Sequence, residues 1–133
     1  MKLSSRFRYG LRLLVDLARN YKKGPVLLKN IAECERISKK YLEQIVILLR
    51  TAGIISATRG AKGGYYLIKD PKKIKIVDIY RILEGSFAPV GCIDNPKSCT
   101  LVRTCSTRKI WTKLGKQIEL TFKDQTLADL AKK

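Results

Sequence analysis

Apolar side chains recur at helical spacing through most of the first fifty residues. Phe7, Leu11, Leu14, Val15 and Ala18 stand at i, i+4, i+7, i+8 and i+11, one face of an amphipathic helix capped by Ser4 or Ser5. Gly24-Pro25 ends that region, and Leu28, Ile31 and Ala32 mark a short second helix over 28–35. Arg36-Ile37 makes a tight connection, and Ser38 caps a third helix over 39–52. Its apolar face is Leu42, Ile45, Val46 and Leu49, and Gly53 ends it. Two helices joined by so short a turn form a helix-turn-helix.

The period then changes. Residues 54–58 predict a strand and 64–68 its partner, with Arg59-Gly60-Ala61-Lys62-Gly63 between them. A helix-turn-helix followed by a basic hairpin is a winged helix, with Tyr65 expected to pack beneath the hairpin. Pro71 closes the strand, and Val77, Ile79, Tyr80, Ile82 and Leu83 predict a helix over 77–84 ended by Gly85. Periodicity is lost over 86–104, which holds Pro89, Gly91, Asn95, Pro96 and two cysteines, with a third just beyond. Irregular loops of that length are uncommon in compact domains unless they carry function. Ile110, Trp111, Leu114, Ile118, Thr121 and Phe122 then mark a long helix, and Thr126 and Asp129 a capped short helix over 127–131.

The expected fold is therefore mostly α with a small β-hairpin: a winged helix-turn-helix plus a long C-terminal helix. Three segments follow: a winged-helix DNA-binding domain at 1–85, a cysteine-containing loop at 86–105, and the long and short helices at 106–133. The long helix carries more apolar face than its own segment can bury, which predicts a dimerisation helix. Packing back on its own winged helix is the competing reading.

Composition narrows the chemistry. Apolar residues make up 45% of the chain, enough for a folded core. The longest apolar run, 45–49, is far too short to cross a bilayer. The opening residues lack the apolar block of a secretory signal, so the expected location is cytoplasmic and no membrane partner is expected. Histidine is absent, which excludes Ser-His and Cys-His nucleophiles and His-based zinc hydrolases. With no C-x-x-C pair and no phosphate-cradling loop before a helix, an enzyme is not expected. An RNA-binding module is disfavoured by the lack of a paired aromatic platform on a strand.

Twenty-eight Lys and Arg against eleven Asp and Glu give a net charge of +17. Residues 1–85 hold +12 of it, and 59–75 has six bases against Asp70 alone. A lysine cluster by itself can be a solubilising surface. Tied to a winged helix, it becomes a phosphate-binding footprint for double-stranded DNA.

Cys92, Cys99 and Cys105 are spaced C-x6-C-x5-C, while Cys34 sits apart and is expected to be a small buried hydrophobe. A disulfide is disfavoured by the odd count and the expected cytosolic setting. Zinc usually takes four ligands at tighter spacing. Iron–sulfur ligation tolerates wider spacing, and Lys97, Arg103 and Arg108 nearby favour thiolates. Reactive thiols without metal remain a further reading.

Taken together, these residues resemble the IscR/NsrR-type winged-helix transcriptional regulators, above all the members that control iron–sulfur cluster assembly. The resemblance rests on Met1-Lys2-Leu3-Ser4 with Arg8-Tyr9, Tyr41-Leu42-Glu43-Gln44, Arg59 to Tyr65, the three loop cysteines and the tail from Trp111. It covers nearly the whole chain. It implies a homodimer on operator DNA and, in many members, a cluster (2Fe-2S or 4Fe-4S) held by Cys92, Cys99 and Cys105. Some members work without metal, under a metabolite, a partner protein or thiol oxidation. The chain departs from the pattern at two positions. Arg108 stands where cluster-assembly regulators have a ligating His, and Arg8 where nitric-oxide sensors have an Asp.

The winged-helix reading also assigns contacts. The start of the third helix enters the major groove, with Ser38, Lys39, Lys40 and Tyr41 at its mouth. Gln44 pairs with adenine, and Glu43 accepts from cytosine while being repelled by phosphates. Arg59, Gly60 and Lys62 of the wing lie along the minor groove.

Overall fold

A computed structural model describes residues 2–132. Seven helices and one hairpin follow in chain order: α1 (Ser5–Arg19), α2 (Leu28–Glu35), α3 (Lys39–Thr51), β1 (Ile55–Thr58), β2 (Gly64–Leu67), α4 (Ile76–Leu83), α5 (Gly91–Asp94), α6 (Arg108–Lys123) and α7 (Leu127–Ala131). Ser4 caps α1 by accepting from the Phe7 N–H, satisfying one of the donors a helix start leaves unpaired. Between α2 and α3, Arg36 takes the left-handed conformation (φ 56°) that ends α2, and Ile37 plugs the corner by being buried.

The core gathers the apolar stripes of α1, α2, α3 and α4. Leu13, Leu14, Leu17, Ile31, Leu42, Ile45, Leu49, Ile79 and Leu83 are fully buried, each contributing about 1.5–3 kcal/mol through lost water contact. Gly10 lets α1 approach the others closely: a Cβ there would meet Leu83 Cδ1 at 2.5 Å. The hairpin is antiparallel, pairing Ile55 with Leu67 and Thr58 with Gly64. Val26, just before α2, adds a bridge to Tyr65 through two 2.8 Å backbone hydrogen bonds. Tyr65 is thereby held half-buried against the core, as its sequence position suggests.

Two sequence expectations change. The stretch 86–104 is not wholly irregular. It forms the single turn α5 and a 3₁₀ turn at Pro96–Ser98, each too short to leave a hydrophobic period. Cys34 is exposed, because it is rotated off the Leu28–Ile31–Ala32 face that packs into the core.

The C-terminal elements return to the winged helix. Leu127 of α7 is fully buried, and its N–H donates to Ile74 O at 2.8 Å. Thr126 and Asp129 form the reciprocal cap expected from their spacing. Phe122 of α6 closes an aromatic cluster with Phe7, Tyr80 and Phe87, in which Tyr80 and Phe87 stack at 4.2 Å. Arg81 donates to Glu119 at 2.7 Å, tying α4 to α6.

One acidic pair sits between α1 and α2. Glu35 accepts from Arg12 at 3.0 Å, and the Asp16 carboxyl lies within reach of its charge. Burial, then the charge of Glu35, pushes the Asp16 carboxyl up to about 6, against the opposing pull of Arg19 and Arg12. A raised carboxyl makes the folded state hold a proton the unfolded chain releases, so this group's contribution falls as pH rises from about 4 to 6. Asp16→Asn is expected to flatten that fall and raise stability at pH 7.5 by roughly 1 kcal/mol, allowing for solvent screening. Urea unfolding at pH 4.5 and 7.5 measures it. An equal loss at both pH values would contradict the assignment.

Candidate nucleic-acid interface and cysteine loop

Helix α3 presents two faces. Leu42, Ile45, Val46 and Leu49 are buried, and Lys39, Lys40, Glu43 and Gln44 point outward. Ser38 caps it, its Oγ accepting from the Tyr41 N–H at 3.3 Å and keeping its hydroxyl proton free to donate. Tyr41 bonds Ser5 Oγ at 2.7 Å and meets Tyr9 edge-on, which pins the start of α3 to α1.

The structure brings part of the predicted set together. A hollow of about 300 Å3 lies between α3 and the wing, walled by Lys39 and Glu43 on one side and Thr58 and Gly60 on the other. Lys29 of α2 lines the same hollow. Sequence reasoning passed over it, although a basic residue in the first turn of α2 is what the dipole disfavours and a phosphate would explain. Arg59, Gly60 and Lys62 are exposed on the wing tip. Gln44 lies apart from this hollow, beside Ser4 and Arg6 in a second shallow depression. Arg6 itself is held by Nε donation to Leu83 O at 2.7 Å.

The wing is positioned by backbone contact. Gly64 has φ 151°, and a Cβ there would stand 2.4 Å from Val26 O. Only glycine allows the approach that makes the Val26–Tyr65 bridge. The turn itself closes through Gly63 N–H donating to Gly60 O at 2.9 Å.

The three loop cysteines are free and half-buried. Cys105 Sγ lies 3.3 Å from Thr107 Oγ1. The Thr107 hydroxyl and backbone hold the Cys105 thiol below its ordinary range, against an opposing burial effect, with the Arg108 backbone and charge as lesser contributions. Arg108 donates to Cys92 O at 3.3 Å, so the residue in the fourth-ligand position holds the loop by its guanidinium. In donor chemistry the set fits an iron–sulfur cluster: three thiols, one already acidified, among cations that favour thiolate. Phe87 anchors the start of this segment on Tyr80 and Phe122, but no residue from Val90 to Thr107 is buried, so that part can rearrange without opening the core. Among the described residues, however, no three Cys, Asp or Glu side chains stand close enough to share a metal ion. Cluster binding therefore requires the loop to close, a coupling of folding to metal that is common in such sites.

Helix α6 packs on its own chain along one face and leaves apolar side chains exposed elsewhere. Gly115 is buried against the loop, where a Cβ would meet Phe87 O at 2.9 Å, so one face packs on its own chain. Ile110, Leu114 and Leu120 remain exposed, Ile110 at 61%.

A helix-turn-helix, a basic hairpin docked beside its second helix and a helical tail define a winged-helix protein of the kind that regulates transcription. Residues 3–133 match the Rrf2 family, described as an iron-dependent transcriptional regulator, and the chain belongs to that family. It is 42% identical to protein rrf2 of Nitratidesulfovibrio vulgaris over 130 residues, covering 98% of this chain and 87% of that one. It is 37% identical to the HTH-type transcriptional regulator CymR of Bacillus subtilis, covering 98% and 90%. The structure of that CymR, the global cysteine regulator of B. subtilis, superposes with a TM-score of 0.81 over 98% of this chain and 96% of that one. T. potens IscR superposes equally well (0.81) at 39% identity, over 98% and 85%. These relatives are transcriptional regulators and not enzymes. Among the described residues, no helix is long and apolar enough to cross a membrane.

Proposed function

We propose that the chain acts as a homodimer on double-stranded operator DNA in the cytoplasm, with its signal entering through the Cys92, Cys99 and Cys105 loop. The observation that carries the DNA reading is the shared hollow, which turns Lys39 and Glu43 of α3 and the Gly60 wing tip toward the same side. A duplex placed there meets Lys39 and Lys40 with Glu43 in its major groove and Arg59 with Lys62 along the adjacent backbone. Gln44, one helical turn past Lys40, reaches the flanking bases. The exposed Ile110 and Leu114, one turn apart on α6, support pairing with a second copy, since a monomer gains nothing by leaving them in water. Two-fold pairing sets half-sites about 34–36 Å apart.

The input chemistry follows from the loop. Cys92, Cys99 and Cys105 would hold an iron–sulfur cluster, which when bound supplies iron chemistry sensitive to oxygen, nitric oxide and iron supply. The protein's own part is to keep the Cys105 thiol acidified, to hold Cys92 O on Arg108, and to pass loop closure to α6 through Thr107 and Arg108. A second reading, thiol chemistry without metal, is favoured by Arg108 in the fourth-ligand position and by the separation of the thiols.

Anaerobic purification with iron and sulfide quantitation tests this. Coloured protein is expected, with the absorbance lost in each of Cys92→Ala, Cys99→Ala and Cys105→Ala. Colourless wild-type protein whose operator affinity changes on thiol oxidation would establish the second reading instead.

A further inference from the structure

Along α6 and the end of the cysteine loop runs a groove of about 610 Å3, lined by five cationic side chains, Arg103, Arg108, Lys109, Lys113 and Lys116, and by no carboxylate. Lys109, Lys113 and Lys116 follow one stripe at i, i+4 and i+7, where like charges repel. Among the described residues the ion pairs are Arg12–Glu35, Arg81–Asp78 and Arg81–Glu119, so none of the five is neutralised. Glu119, the carboxylate of α6, is drawn by Arg81 to the opposite flank. Within the groove, Arg108 Nε is shielded from solvent and has no hydrogen-bond partner. Buried N–H groups without a partner are rare in folded proteins, and an anion on the Arg108 side chain would supply an acceptor.

We propose that this groove binds a small polyanion, a molecule with two or more phosphate or carboxylate charges. The Arg108 guanidinium and the Lys113 and Lys116 ammonium groups receive the anionic oxygens, Thr112 and Gln117 supply further hydrogen bonds, and Val102 with Leu120 faces any carbon skeleton. The volume is that of an ordinary metabolite pocket. The site shares no residue with the hollow between α3 and the wing. Its walls come from both the loop (Val102, Arg103, Cys105) and α6, so an anion would fasten one to the other. Any role in signalling rests on the reading of the loop as the input, whereas the binding itself does not.

Inorganic pyrophosphate and tricarballylate, added to the full chain at ionic strength matched with KCl, serve as phosphate and carboxylate probes. Calorimetry is expected to show saturable binding of one or both, with a rise in Tm beyond that given by KCl; which of them binds identifies the ligand's anionic group. Lys113→Gln with Lys116→Gln should weaken binding about tenfold or more, Lys116→Gln alone should weaken it less, and Lys72→Gln should leave it unchanged. A Tm rise equal to that of KCl, or equal in wild type and the double variant, overturns the proposal. So does a double variant that loses operator affinity when the wild type binds neither probe, which would make the groove a DNA contact. Pyrophosphate binding by a protein with no operator affinity would count against the DNA reading alone.

Discussion

Gly64→Ala is expected to destabilise the protein by about 3 kcal/mol or more and to loosen the wing. At φ 151° an L side chain is strained whatever the space around it, and here the space is filled by backbone. The new Cβ would stand 2.4 Å from Val26 O and 2.5 Å from the Val26 carbonyl carbon. Neither atom can turn aside as a side chain would. Relief requires parting the segment before α2 from β2, which breaks both 2.8 Å hydrogen bonds between Val26 and Tyr65. Urea unfolding reads the stability, and amide exchange at Val26 and Tyr65 reads the local opening. A midpoint unchanged to within about 0.5 kcal/mol would mean the wing is not anchored through this contact.

The second large effect concerns binding rather than folding. Arg59→Ala combined with Lys62→Ala should lower operator affinity roughly 10–100-fold near physiological salt and reduce the logarithmic salt slope by about 2. Both side chains are exposed and neither takes part in an ion pair among the described residues, so Tm should stay constant. The two observations together separate lost phosphate contact from lost fold. An unaltered slope would remove the wing from the interface.

What the sequence could reveal depended on how local the cause was. Helix α2 ends where its apolar spacing ends, and the cap on α7 follows from Thr126 and Asp129 alone, because both are settled within a turn or two of chain. The wing was legible for the same reason: two strands, a glycine-rich basic turn and a preceding helix-turn-helix. Cys34 was misjudged because a residue at the margin of an apolar face is buried or exposed by how its helix is rotated, which distant elements decide. Lys29 was missed because its nearness to Lys39 and the wing is created by the turn between α2 and α3. The return of α7 to the core, with Thr126 bridging to Lys75, involves residues some fifty positions apart and leaves no periodic trace. At the cysteine loop the spacing announced the thiols, but whether they converge is a tertiary property, and Arg108 holds Cys92 O instead.

Selection of duplexes from a random pool by the purified full chain, with its mass in solution measured alongside, tests the central claim most directly. A dimer that enriches a two-fold symmetric sequence with half-sites one helical turn apart is expected. A monomer that retains every duplex equally would contradict it.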